Sequence, residues 1–388
     1  DDASPHDLGL RLAPNAPQSE WLQPEAVLLP VPRGESSSDD GEEDKRDVAL
    51  RLWRYRQVDR LTCQARAALI KPGDWCELPV RRAKVVVLLH AFDMSGYAYT
   101  FKETEQNFAE YLYAQGWEVW VADLRMSPRT RSAREPCTVD QLGFHDAPGI
   151  VNHVIAILDK ESRDPLEPDA APVQIYAFGQ CMGAAALLIG LLSGRLSYPA
   201  RAAGPAYAAT TGERPLMPKL AGLVTSQTHP FMVGARDAQA KLWMAALLRD
   251  LAGRSLVPLG VRGEVNSVAD AWADRLFAVA PVPRGEHCPG EGEAARHDDD
   301  DCATCRRIRF LLGPMFSHAK LNVETHRALP RLFGSGSVRL FAQGSKFIEY
   351  ERLCSEDGIN AYITDEAIGR YLALPIRFMH GELNGLFD

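Results

Sequence analysis

Val173–Gly190 reads VQIYAFGQCMGAAALLIG. Val173–Phe178 is an apolar run of strand length, rich in β-branched and aromatic residues. Met182–Leu196 is an Ala/Leu-rich stretch of helical composition. Between them stands Gly179-Gln180-Cys181-Met182-Gly183, a G-x-C-x-G turn entered from a strand and left by a helix. A nucleophile elbow needs that context. The turn forces the nucleophile into a strained backbone conformation, and the flanking glycines let strand and helix approach closely. Cys181 is therefore the candidate nucleophile. At a helix N-terminus the dipole favours a thiolate, and the Met182 backbone N–H is a candidate oxyanion donor. The alternative is a buried structural cysteine in a Gly-rich turn.

Working outward, the same alternation recurs on both sides. Val48–Arg56 alternates apolar and polar residues as a half-buried strand does. Lys84–Leu89 (KVVVLL) and Trp117–Ala122 (WEVWVA) read as buried strands, and Leu220–Ser226 (LAGLVTS) and Ile376–Met379 as further strands. Tyr99–Gly116 and Val139–Lys160, the latter with an early Pro148, have helical spacing. Strands alternating with helices predict a mostly parallel sheet with helices on both faces. Residues 229–374 are too long for a connection and predict a helical cap insertion, with helical composition at Lys241–Leu251, Val268–Val279 and His318–Phe333. The expected organisation is an extended or disordered arm at 1–46, the first part of the core at 47–228, the cap at 229–374 with a Cys/His-rich acidic loop, and a last visible core strand and turn at 375–388. Residues 197–218, rich in Ala, Pro and Gly, read as a further insertion.

The 388 residues carry 43 Lys+Arg and 51 Asp+Glu, a net charge of −8. Nine of the acids sit in two runs, residues 39–44 and 298–301, so the body is close to neutral. No basic face points to nucleic acid. The longest apolar run, Gly183–Leu192, is half the length a membrane span needs. The acidic runs read as solvated loops, and with residues 1–46 they are the candidate surfaces for protein partners. The eight cysteines lack the dense spacing of a small secreted scaffold, which points to a soluble protein of a reducing compartment.

The turn after Lys84–Leu89 reads His90-Ala91-Phe92-Asp93. A strand-end turn of this kind, upstream of an elbow, supplies the second oxyanion N–H; here the donor is expected to be Phe92. At this point the chain resembles the α/β-hydrolase domain at the C-terminus of cholesterol-oxidase-like flavoproteins of the glucose–methanol–choline type. The segments that carry the resemblance are Glu118–Pro128, Asp146–His153, the elbow, Thr225–Pro230, Gly285–Cys288, Cys305–Ile308, Leu311–His326 and Leu374–Phe387. The resemblance implies an α/β-hydrolase fold with a cap and a Cys nucleophile at Cys181. It brings no flavin site: no G-x-G-x-x-G follows an N-terminal strand, and no cofactor is expected.

In such a fold an acid and then a histidine follow the nucleophile. The acid turn is His380-Gly381-Glu382-Leu383-Asn384. Asn384 stands where the general pattern has Asp, and Leu383 where the resembling family tends to have Glu. Glu382 is the nearest carboxylate and the candidate acid. The expected histidine loop lies past Asp388, so the C-terminal part of the fold is expected to be missing from this chain. His229 and His380 end strands on the right face and are the substitutes to consider. His90 belongs to the oxyanion turn, and His145 and His153 read as packing or surface residues.

A second constellation is Cys288, His297, Cys302 and Cys305, with C-x₂-C spacing between the last two. Four such ligands suit a structural zinc. A Cys288–Cys305 disulfide and unbridged thiols are the other options. The expected activity is a hydrolase or acyltransferase acting through Cys181 on an ester or thioester of an apolar acyl or sterol-like substrate, its histidine supplied beyond residue 388 or by another chain. The alternative is a catalytically degenerate hydrolase fold serving as a subunit of a larger assembly.

Overall fold

The computed structural model describes residues 8–13, 17–34, 47–57, 84–162, 173–198, 216–234, 256–258, 288, 300–313 and 315–382. Its centre is a seven-stranded sheet. In chain order the strands are β1 (Glu25–Val31), β2 (Val48–Tyr55), β3 (Lys84–Leu89), β4 (Trp117–Asp123), β5 (Ile175–Gln180), β6 (Gly222–Ser226) and β7 (Ile376–Met379). Their spatial order is β1-β2-β4-β3-β5-β6-β7. The pairings of β1 with β2 and of β2 with β4 are antiparallel; every later pairing is parallel. This order, with the sharp strand–turn–helix after β5, is that of the α/β-hydrolase fold.

The core follows from composition. β3 and β4 are buried along almost their whole length, as expected of strands covered on both faces. The helix after β5, Met182–Leu192, is apolar all round, and every residue from Gly183 to Leu192 is buried. It lies inside the molecule between sheet and helices rather than on its surface.

Three expectations are corrected. The sheet begins at Glu25, not at residue 47: the N-terminal arm supplies the edge strand, in register from Glu25↔Arg54 to Val31↔Val48. Leu8 and Leu10 are buried, and Tyr55 donates its O–H to the Leu8 carbonyl at 2.7 Å. Second, Tyr99–Gly116 is not one helix. A 3₁₀ turn at Gly96–Tyr99 is followed by a helix only from Phe108 to Ala114. That helix starts at Asn107, whose side chain accepts the Glu110 N–H while Glu110 accepts the Asn107 N–H, a reciprocal cap. Third, Val139–Lys160 is interrupted by a π turn at Leu142–Asp146 before the helix Ala147–Ser162. The wider turn gives room to Pro148, whose ring a continuous α ladder would press against the carbonyl four residues back.

The Lys241–Leu251 and Val268–Val279 stretches and residues 289–299 of the Cys/His-rich acidic loop lie outside the described residues. His318–Phe333 is not one helix but three short pieces, His318–Lys320, Val323–Arg327 and Leu329–Leu332. With Asp300–Leu312 and Val338–Glu349 they form the helical cap. Of the 197–218 insertion, Ser197–Tyr198 pairs antiparallel with Met217–Pro218. Asp140 fastens the cap to the core: its carboxylate accepts from Gln343 Nε2 at 2.6 Å, the Glu356 N–H at 2.8 Å and the Tyr362 O–H at 2.8 Å. Among the described residues no helix is long and apolar enough to cross a membrane.

Candidate active site

The carboxyl ends of β3, β5, β6 and β7 are level: Leu89 is paired with Gly179, Gln180 with Ser226, and Ser226 with Met379. The turns that leave these strands therefore share one edge of the sheet. Cys181 leaves β5 with φ 49° and ψ −113°, a sparsely populated conformation for a residue with a Cβ. Its N–H donates to the Ser226 carbonyl at 2.8 Å, and the Cys181 carbonyl accepts the Ala185 N–H at 3.0 Å. The elbow is thus tied to the next strand and to the first turn of the helix.

Both elbow glycines are required by contact. A Cβ on Gly179 would stand 2.6 Å from Ala184 Cα, and one on Gly183 would stand 2.6 Å from the His90 carbonyl oxygen. That close approach brings the β3 turn against the helix start. The backbone N–H groups of Phe92 and Met182 lie near the Cys181 sulfur and favour its charged form. Phe92, Cys181 and Met182 thus stand together on the wall of one cavity. The electrostatic expectation is corrected. Burial pushes the Cys181 thiol up, the two N–H groups oppose this, and the net shift is upward.

His90 holds the turn. It is fully buried. Its Nδ1 lies 2.9 Å from the Ala91 carbonyl and its Nε2 accepts the Leu124 N–H at 3.0 Å, which fixes the neutral Nδ1–H tautomer. Burial lowers its pKa accordingly. Asp93, a residue the sequence reading gave no role, is also fully buried. Its two carboxylate oxygens have no hydrogen-bond partner among the described residues. Burial raises its pKa well above the usual carboxylate value. Nothing in the sequence signals this, because an Asp in a strand-end turn is ordinarily solvated.

Cys181 opens into a cavity of about 310 Å³ between sheet and cap. The walls are apolar: Phe92, Met94 and Phe101 from the core side, Phe316, Leu332, Phe341 and Ile348 from the cap. The polar exceptions are Gln180, Gln227, Thr325 and Ser345. Gln227 has φ 66° and its N–H donates to the Met379 carbonyl at 2.9 Å; its segment, Thr225–Pro230, was singled out by the sequence but its side chain was not.

Glu382 is not brought to Cys181. It stands exposed in the turn after β7 and outside the cavity lining. Leu383 and Asn384 lie outside the described residues. His229 and His380, the candidate substitutes for the base, face each other with ring centroids 6.4 Å apart. Neither lines the cavity. Burial and the neighbouring His380 lower the pKa of His229.

The metal constellation is also redrawn. Cys288 and Cys305 meet His318 and His326: one ligand atom from each of the four lies within 4.8 Å of the others, and all four residues are buried. Cys305 Sγ is 3.1 Å from His318 Nε2. His297 lies outside the described residues, as does the side chain of Cys302. Cys288 and Cys305 are not joined by a disulfide.

No family model matches the chain, and no curated protein does. Solved structures with some likeness include epoxide hydrolase A from Mycobacterium thermoresistibile, 12% identical over 92% of this chain and 91% of that one, with a TM-score of 0.34. The esterase Pf2001 of Pyrococcus furiosus is 14% identical over 64% of this chain and 63% of its own, with a TM-score of 0.31. The peroxisomal α/β-hydrolase Lpx1 from Saccharomyces cerevisiae is 9% identical over 92% and 82%, with a TM-score of 0.33. At these TM-scores the fold assignment rests on the strand order and the elbow, not on the likeness.

Proposed function

We propose that the chain carries a thiol acyl-transfer site, acting as a hydrolase or acyltransferase on an ester or thioester of an apolar acyl group. The observation that carries this reading is the strained Cys181 at the strand–turn–helix, lining an apolar cavity together with Phe92 and Met182. Cys181 Sγ attacks the acyl carbon, the S–C bond forms as the C–O or C–S bond to the leaving group breaks, and the thiol proton leaves with that group. The Phe92 and Met182 N–H groups hold the carbonyl oxygen as it gains charge, an arrangement in which one donor contributes about 10²–10³ in rate. Water or a second acceptor then takes the acyl group.

The apolar walls fit an acyl chain or a sterol-like body, and the polar side chains Gln180 and Gln227 fit its carbonyl end. The resemblance to the hydrolase domain of cholesterol-oxidase-like flavoproteins points to the same class of ligand. A second reading, a catalytically degenerate fold that binds an apolar ligand or a partner chain, is favoured by two observations: the raised Cys181 thiol and the exposed position of Glu382.

Pre-steady-state release from p-nitrophenyl esters of graded chain length tests the proposal. One equivalent of nitrophenol per chain in a rapid first phase, absent from Cys181→Ala, is expected. Release at the same rate from Cys181→Ala would overturn acyl transfer and leave the binding reading.

A further inference from the structure

Cys288 is joined by Cys305 from the middle of the Asp300–Leu312 helix, His318 from the 3₁₀ turn at His318–Lys320 and His326 from the Val323–Arg327 helix. Their relative exposures are 7%, 2%, 8% and 1%. None of the four lines the Cys181 cavity. The two imidazoles lie with ring centroids 5.5 Å apart, and His318 packs on Phe316 at 5.3 Å. Around them the core is apolar, with Ile308, Leu312, Ala328 and Leu329 in the same buried cluster.

We propose that these four side chains bind one zinc ion as a closed structural site that pins the cap wall over the Cys181 cavity. The ligand atoms of a tetrahedral Cys₂His₂ zinc stand about 3.3–3.8 Å apart, as follows from Zn–S near 2.3 Å and Zn–N near 2.0–2.1 Å. The observed cluster, within 4.8 Å, needs only a small contraction to reach this. The charge balances: Zn²⁺ displaces two protons from the thiols, and two thiolates with two neutral imidazoles leave the buried unit uncharged. That removes the penalty that a lone buried ion would incur.

Two other uses of the cluster fit less well. A Cys305–His318 nucleophilic pair needs substrate access, and neither residue lines the cavity. A Cys288–Cys305 disulfide leaves two buried imidazoles gathered around it with no function. With four protein ligands no coordination position is left for substrate, so the role is structural. Its consequence for the cavity is direct. Phe316 and Thr325 line the cavity, and they contact or adjoin His318 and His326. The inference stands independently of the acyl-transfer reading.

The test uses the full chain purified without chelators. Elemental analysis is expected to give one zinc per chain, and replacement by Co²⁺ the intense visible absorption of a tetrahedral thiolate-ligated ion. Cys305→Ala and His326→Ala are expected to weaken zinc binding more than 100-fold. His326→Cys is expected to retain the metal with stronger sulfur-to-cobalt charge transfer. His297→Ala and Cys302→Ala, at the positions the sequence spacing favours, are expected to keep full zinc. Wild-type protein without stoichiometric metal, a weak octahedral cobalt spectrum, a native Cys288–Cys305 disulfide, or loss of zinc in His297→Ala would each overturn the site. The wild-type count and spectrum decide the question even if the alanine variants fail to fold.

Discussion

Gly183 lies so close beneath the end of β3 that a Cβ on it would stand 2.5 Å from the carbonyl oxygen of Leu89. The contact is with backbone, which has little freedom to yield. Gly183→Ala is therefore expected to push the helix start away from the β3 turn, separating Phe92 from Cys181. A stability loss of about 1–3 kcal/mol is predicted for this overpacking, with at least a tenfold fall in acylation of Cys181. Urea denaturation and the nitrophenol burst measure the two effects, and a variant with wild-type burst rate would show that the approach is not needed for the chemistry.

The thiol pKa of Cys181 is raised chiefly by burial and, to a smaller extent, by Asp93. The reactive form is the thiolate, so acylation should rise with pH through and beyond the ordinary thiol range. Asp93→Asn replaces the carboxyl by a neutral group of similar shape. It is expected to shift the profile toward lower pH, and to gain stability at neutral pH by removing a buried carboxyl whose folded pKa is raised. The sign follows from linkage: a group with a raised folded pKa costs stability as pH rises from its unfolded toward its folded value. An unchanged rate profile and unchanged neutral-pH stability in Asp93→Asn would contradict this account of the turn.

His90 is neutral in the fold and its pKa is lowered. Below the ordinary imidazole value near 6.5 the unfolded chain takes up a proton that the folded chain refuses. The stability His90 contributes is thus present above that pH and falls as pH drops, by about 1.4 kcal/mol per pH unit, until the folded pKa is reached. Denaturation of wild type and His90→Gln across pH 4.5–8 should show a steeper acid loss in wild type. Parallel curves would mean that His90 is protonated in the fold.

How much of this was legible in the sequence depends on how local each signal is. β3 and the strand–turn–helix around Cys181 are legible because a continuous β-branched run and glycines at fixed offsets act within a few residues. The edge strand Glu25–Val31 was missed because its pairing with β2 is set by a partner on the far side of the acidic run at 39–44, which carries no strand pattern. The break at Leu142–Asp146 was missed because a π turn keeps helical spacing of apolar residues. In the metal cluster, short spacing suggested Cys302 and His297, whereas the fold gathers His318 and His326 from turns distant in sequence. Those two residues lie within Leu311–His326, a segment that already carried the family resemblance. The acid could not be settled from Glu382, since a turn residue's reach depends on where the turn points.

Phe341 packs against Phe92 with ring centroids 5.8 Å apart, and both line the cavity. Ile348 lines it too. Ile348→Trp should fill part of the 310 Å³ and shorten the acyl chain that gives the fastest burst. Phe341→Ala should lengthen it, at a stability cost of about 3–5 kcal/mol. An identical chain-length ranking in wild type and both variants would show that the acyl group lies elsewhere.

The most direct measurement is the site of covalent attachment. The intact chain is mixed with a medium-chain acyl thioester, quenched in acid within seconds and mapped by peptide mass spectrometry. The account predicts a single acyl adduct on Cys181, lost when the Met182 or Phe92 environment is disturbed by Gly183→Ala. An unmodified Cys181, or acyl groups spread over other cysteines at equal rates, would contradict it.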